Sequence, residues 1–80
     1  MQIETEAHLL SSEATPYDVG GNKGVSYRIR LNVGGEIFVC KSNAGQVQTM
    51  KDFVGQEGNA VLIVKSRKEV MSLELVSFGV

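Results

Sequence analysis

Apolar and polar residues alternate without a break from Val25 to Val33. Val25, Tyr27, Ile29, Leu31 and Val33 share one face, and Ser26, Arg28, Arg30 and Asn32 share the other. Successive side chains of a strand point to opposite sides, so this period predicts a half-buried β-strand. Gly34-Gly35 follows, with a second run, Glu36–Lys41, directly after it. A Gly-Gly pair between two such runs predicts a two-residue hairpin turn whose central residues both take positive φ. A turn that tight fixes the register by counting. Val33 stands opposite Glu36, Leu31 opposite Phe38, Ile29 opposite Cys40, Arg30 opposite Val39, and Arg28 opposite Lys41. One face of the hairpin is then Ile29, Leu31, Phe38 and Cys40. The other carries Arg28, Arg30 and Lys41 around Ile37 and Val39.

The same period opens the chain. Met1, Ile3, Thr5, Ala7 and Leu9 alternate with Gln2, Glu4, Glu6 and His8, which predicts a first strand with a polar outer face. From Ser11 to Gly24 the pattern dissolves into SSEATPYDVGGNKG. Its Ser, Thr, Pro, Asp, Asn and Gly content predicts a long loop or a flexible β-ribbon wing. Loops this long in a compact domain tend to be functional or disordered. After the hairpin the period changes. Val47, Met50, Phe53 and Val54 recur at helical spacing, Ser42 or Asn43 can cap, and Gly55 can supply the left-handed terminal residue. A short amphipathic helix of about ten residues is expected there, laid over one end of a sheet. Gln56–Asn59 predicts a turn, Ala60–Lys65 a strand rich in β-branched residues, and Lys65–Lys68 a polar, basic reversal. Val70–Phe78 closes the chain as a strand, with Met71, Leu73 and Leu75 alternating against Ser72 and Glu74.

The predicted order is strand, long loop, strand, tight turn, strand, short helix, strand, turn, strand. That is the order of a mainly β, five-stranded OB-like Greek-key barrel with one short helix between strands three and four. Such barrels bind oligonucleotides on the face of strands two and three and through the loops after strands one and four. Residues 1–80 are expected to form a single OB-like domain, since the sequence shows no internal repeat and no linker.

Composition narrows the function. A chain of 80 residues has a marginal core that oligomerisation or a ligand helps to stabilise. At 42 % hydrophobic and 21 % charged residues it is a folded globular chain, not a disordered one. The net charge of −1 does not by itself favour a polyanion, but the charges are unevenly placed. Residues 1–18 hold Glu4, Glu6, Glu13 and Asp18 without a cation, whereas residues 19–51 hold Lys23, Arg28, Arg30, Lys41 and Lys51 against Glu36 alone. Local fields, not the total, steer a ligand to its site. The single cysteine, Cys40, falls on the apolar face of a strand and is expected in the core. With no disulfide framework and no signal-peptide pattern, the cytoplasm is the expected location. The longest apolar run, Ala60–Val64, is too short to cross a bilayer. His8 lies among the polar positions of its strand, without the second ligand that a metal site needs. No paired carboxylates suit acid–base work, and Gly20-Gly21-Asn22-Lys23-Gly24 lacks the spacing of a nucleotide-binding loop. The expectation is a protein without catalysis, metal or cofactor.

Basic residues fall at all three places where such a barrel meets a ligand. Arg28, Arg30 and Lys41 are on the face, Lys23 is in the first long loop, and Lys65, Arg67 and Lys68 follow strand four. The last cluster reads either as a second phosphate contact or as an ordinary solvated turn. Tyr17, the aromatic of the first loop, either stacks on a base or folds back as a lid on the core.

The wing Gly21-Asn22-Lys23-Gly24-Val25-Ser26-Tyr27, the central glycine turn and the closing strand Leu73-Glu74-Leu75-Val76-Ser77-Phe78 carry a family resemblance. In these, and in length, the chain resembles the small single-stranded DNA-binding proteins of the filamentous-phage gene V type. More loosely, it resembles other OB replication proteins of phages and mobile elements. The resemblance implies a homodimer that coats single-stranded DNA with little sequence preference, as a replication or transfer accessory. It also implies that Lys23 and Tyr27 lie in or beside a DNA-binding wing. RNA stays open as the ligand, because no residue here addresses a 2′-hydroxyl. The rival is an OB- or SH3-like barrel that uses the same face as a protein–protein module, with Ile37 and Val39 as apolar anchors. The concentration of cations on the face favours nucleic acid.

Overall fold

The computed structural model describes residues 1–80. Five strands close a barrel: β1 (Gln2–Val19), β2 (Asn22–Val33), β3 (Glu36–Lys41), β4 (Glu57–Arg67) and β5 (Val70–Gly79), in the order β1-β2-β3-β5-β4. All neighbours are antiparallel except β3 and β5, which run parallel. The single helix, α1 (Ala44–Met50), continues as a 3-10 turn over Lys51–Phe53 between β3 and β4. This is the OB-like barrel expected from the strand order. No helix is long and apolar enough to cross a membrane.

The central hairpin has the counted register at every pair from Val33–Glu36 to Arg28–Lys41. Gly34 and Gly35 take φ of 60° and 90°, and Asn32 Oδ1 accepts the Gly35 N–H at 2.9 Å. Residues 11–24 form the β-ribbon, not the loop. Val19 pairs with Asn22 across Gly20-Gly21, and pairing continues down to Glu13 and Arg28. Neither β3 nor β4 reaches residues 14–24, since β3 pairs with β2 only from Arg28 onward and β4 pairs with β1 only over Gln2–His8. Both sides of that outer part face water, which is why its composition is mostly polar and shows no apolar alternation.

A bulge at Leu10 lies between the part of β1 that lines the barrel and the part that forms the wing. Before it, Ala7 and Leu9 point inward; after it, Ser12 Oγ donates to the Val47 carbonyl at 2.8 Å. Asn43 is the helix cap, accepting the Gln46 N–H at 2.9 Å. Val47 and Met50 are buried, and Phe53 meets Phe78 edge-on at 6.3 Å. Of the two candidates at the end of the apolar stripe, Phe53 packs on the core and Val54 stays exposed. Gly55, at φ 90°, turns the chain so that its N–H reaches the Leu9 carbonyl at 2.8 Å.

The turn expected over Gln56–Asn59 is instead the start of β4, with Glu57 opposite His8 and Gly58 opposite Ala7. Gly58 is required by close approach, because a Cβ there would collide with the Gly79 carbonyl. The β4–β5 reversal lies later than expected, at Lys68-Glu69, with β4 running through Arg67. The core comprises Ala7, Leu9, Ile29, Leu31, Cys40, Val47, Met50, Ala60, Leu62, Leu75 and Phe78. Cys40 is fully buried there, and burial pushes its thiol up to about 11.

Candidate functional site

Strand parity places the even residues of β2 and the odd residues of β3 on the outside of the barrel. Ile29, Leu31 and Cys40 are fully buried, so Arg28, Arg30, Ile37, Val39 and Lys41 point outward. The three cations predicted for this face therefore do share it. Ile37 and Val39 are 64 % and 46 % exposed, which makes them an apolar floor beside the charges. Arg28 folds along its own strand, with Nη1 donating to the Tyr27 carbonyl at 3.0 Å, and joins no ion pair. Lys41 is exposed and also unpaired. Arg30 is held by Glu13, with Nη1 and Oε2 2.6 Å apart and both side chains about half exposed.

The wing extends this face upward. Tyr17 pairs with Gly24, which shares parity with Ser26 and Arg28. Its ring lies across the glycine, where a Cβ would stand 2.5 Å from the phenolic oxygen, and Tyr17 remains 48 % exposed. It is no lid on the core. It is an exposed aromatic plate at the upper end of the cationic face. From Gly24 to Asn32 the face runs for about 27 Å along β2.

Other predicted residues lie elsewhere. Tyr27 has the opposite parity, is half-buried and packs against the core. Lys23 shares that other side of the wing and stands opposite Asp18, so the structure does not bring it together with Arg28 and Lys41. Lys65 contacts Glu74 at 2.5 Å, and Glu74 in turn lies beside Lys41 in the β3–β5 register. Arg67 and Lys68 are exposed at the tip of the β4–β5 hairpin.

Two residues of this surface were missed from sequence, Glu13 and Glu74. Glu13 was open to counting. Had Gly20-Gly21 been read as a second tight turn, Glu13 would have fallen opposite Arg28. Glu74 reaches Lys41 only through the parallel β3–β5 pairing, which leaves no local pattern.

At the opposite end of β2 an open groove of about 890 Å³ is lined by Glu6, His8, Asn32, Glu57 and Asn59, among others. His8 Nδ1 lies 3.9 Å from Glu57 Oε1. No three His, Cys, Asp or Glu side chains stand close enough to share a metal ion. Comparison with family models, curated proteins and solved structures returned no match to this chain.

Proposed function

We propose that this protein binds single-stranded nucleic acid, DNA in the first instance, on the outer face of β2 and β3, without catalysing a reaction. One observation carries the proposal: Arg28, Arg30 and Lys41 share a face with exposed Ile37 and Val39 and with the Tyr17 plate. Coating a single strand requires cations along the backbone and flat surfaces for the bases. Every base has a π-face, so such a site has little sequence preference. Phosphates lie over Arg28 and Lys41, a base stacks on Tyr17, and further bases rest on Ile37 and Val39. The resemblance to gene V type proteins extends this to a homodimer that coats single strands during replication or transfer of a phage or mobile element.

The test is fluorescence anisotropy of labelled oligo(dT) at about 50 and about 200 mM salt. Each phosphate contact on a single strand contributes a slope of about −0.7 in log K against log salt. The two phosphate contacts over Arg28 and Lys41 thus give about −1.4 per chain. Arg28→Ala with Arg30→Ala is expected to weaken binding at least tenfold and to flatten the slope. Absence of binding to oligo(dT) and to matched RNA at low salt would refute the proposal. The same apolar floor ringed by charges would then belong to a protein partner.

A further inference from the structure

The charges of the face form one continuous row around the barrel. Glu13 on β1 is in register with Arg28 on β2, Arg28 with Lys41 on β3, and Lys41 with Glu74 on β5. The cations occupy the two middle strands, and a carboxylate stands on the strand to either side. Both carboxylates are held in place, Glu13 by Arg30 at 2.6 Å and Glu74 by Lys65 at 2.5 Å. Neighbouring strands lie about 4.8 Å apart, so the cationic track is one strand spacing wide and an acid lies about 5 Å beyond each margin.

That width suits one phosphate backbone. The second backbone of a duplex lies across a groove about 6 to 12 Å wide. With one backbone over Arg28 and Lys41, the other is carried sideways toward Glu13 or Glu74, whose carboxylates engage Arg30 and Lys65 and so leave no free cation there to receive it. A single strand has no second backbone and can turn its bases toward Tyr17, Ile37 and Val39. On the single-strand reading of this face, we infer that Glu13 and Glu74 are its specificity-determining residues, acidic margins that admit one nucleic-acid strand and turn away a duplex.

The test titrates labelled oligo(dT) and a labelled blunt duplex of equal length with wild type, Glu13→Gln, Glu74→Gln and the double variant. Glutamine keeps the shape and removes the charge. Freed Arg30 and Lys65 strengthen both complexes, so the readout is the ratio of the two affinities. Duplex affinity is expected to rise several-fold more than oligo(dT) affinity, most in the double variant, while Glu13→Asp keeps the wild-type ratio. An equal rise for both probes would overturn the inference and leave single-strand binding intact. A wild type that binds neither probe at low salt would overturn the single-strand reading, and the inference with it.

Discussion

Two residues show how far one side chain can be followed into chemistry. Tyr17 lies across the wing because Gly24 opposite it has no Cβ to push the ring away, and it stays 48 % exposed because neither β3 nor β4 reaches that part of the wing. Cys40 is the opposite case. It is fully buried, and desolvation of the thiolate pushes its thiol from an ordinary 9.0 to about 11. The unfolded chain therefore loses this proton first as pH rises. Stability that is fully present below pH 9 is lost progressively as the pH approaches and passes about 11. The full shift corresponds to an upper bound of about 2–3 kcal/mol. Urea midpoints of wild type and Cys40→Ala at about pH 8 and about pH 10.5 isolate this effect. Cys40→Ala leaves a small cavity and starts lower, but it should lose less than wild type over the interval. Parallel losses in the two proteins would show that the thiol contributes nothing to the alkaline decline.

At the scale of elements, the three hairpins are closed by the same kind of turn with different chemistry. Gly20-Gly21 and Gly34-Gly35 adopt positive φ without a side-chain clash, whereas Lys68 and Glu69 hold φ of 50° and 68° with one. Replacing the latter pair by Asn-Gly, the sequence this turn favours, should stabilise the domain by about 1 kcal/mol. For a domain of this size that raises the melting temperature by roughly 4–8 °C. A calorimetric scan of the Lys68→Asn, Glu69→Gly variant checks it, and an unchanged midpoint would mean that the exposed tip relaxes its own strain. These turns also explain what was legible in the sequence. The central hairpin could be read to the residue, because a two-residue glycine turn fixes register and a buried face fixes parity. The wing reads equally as loop or ribbon, because with both sides in water it shows no apolar alternation, and only Gly20-Gly21 marks it. Gln56–Asn59 reads as a turn for a different reason. Gly58 is a site where two backbones nearly touch, and along the sequence that is indistinguishable from a turn glycine.

At the scale of the whole molecule, the net charge of −1 conceals a separation. Cations line the outer face of β2 and β3, and Glu6 and Glu57 line the groove at its far end. Membership of the cationic face was legible from parity, but its acidic margins depend on which strands become neighbours. Glu74 and Lys41 are 33 positions apart and meet only because the barrel closes between β3 and β5. The size of the face bears on assembly. One chain offers one exposed aromatic plate, and a stacked base contributes about 1–3 kcal/mol. A micromolar complex needs about 8 kcal/mol, so on the proposed single-strand reading one face with its few phosphate contacts would bind weakly. Two faces carried by one assembly make the second engagement intramolecular, with an effective concentration in the millimolar range for a short connection. The expected species is therefore a homodimer, in solution or once a strand is present. Sedimentation equilibrium should give twice the chain mass of 8.7 kDa, or a doubling of protein mass when oligo(dT) long enough for two faces is added. If the protein stays at 8.7 kDa with and without the strand and still binds it at micromolar concentration, the dimer is refuted. A larger part of the surface than Tyr17 and the β2–β3 face would then have to hold the nucleic acid. The exposed cations Arg67 and Lys68 on the β4–β5 hairpin would be the first residues to substitute.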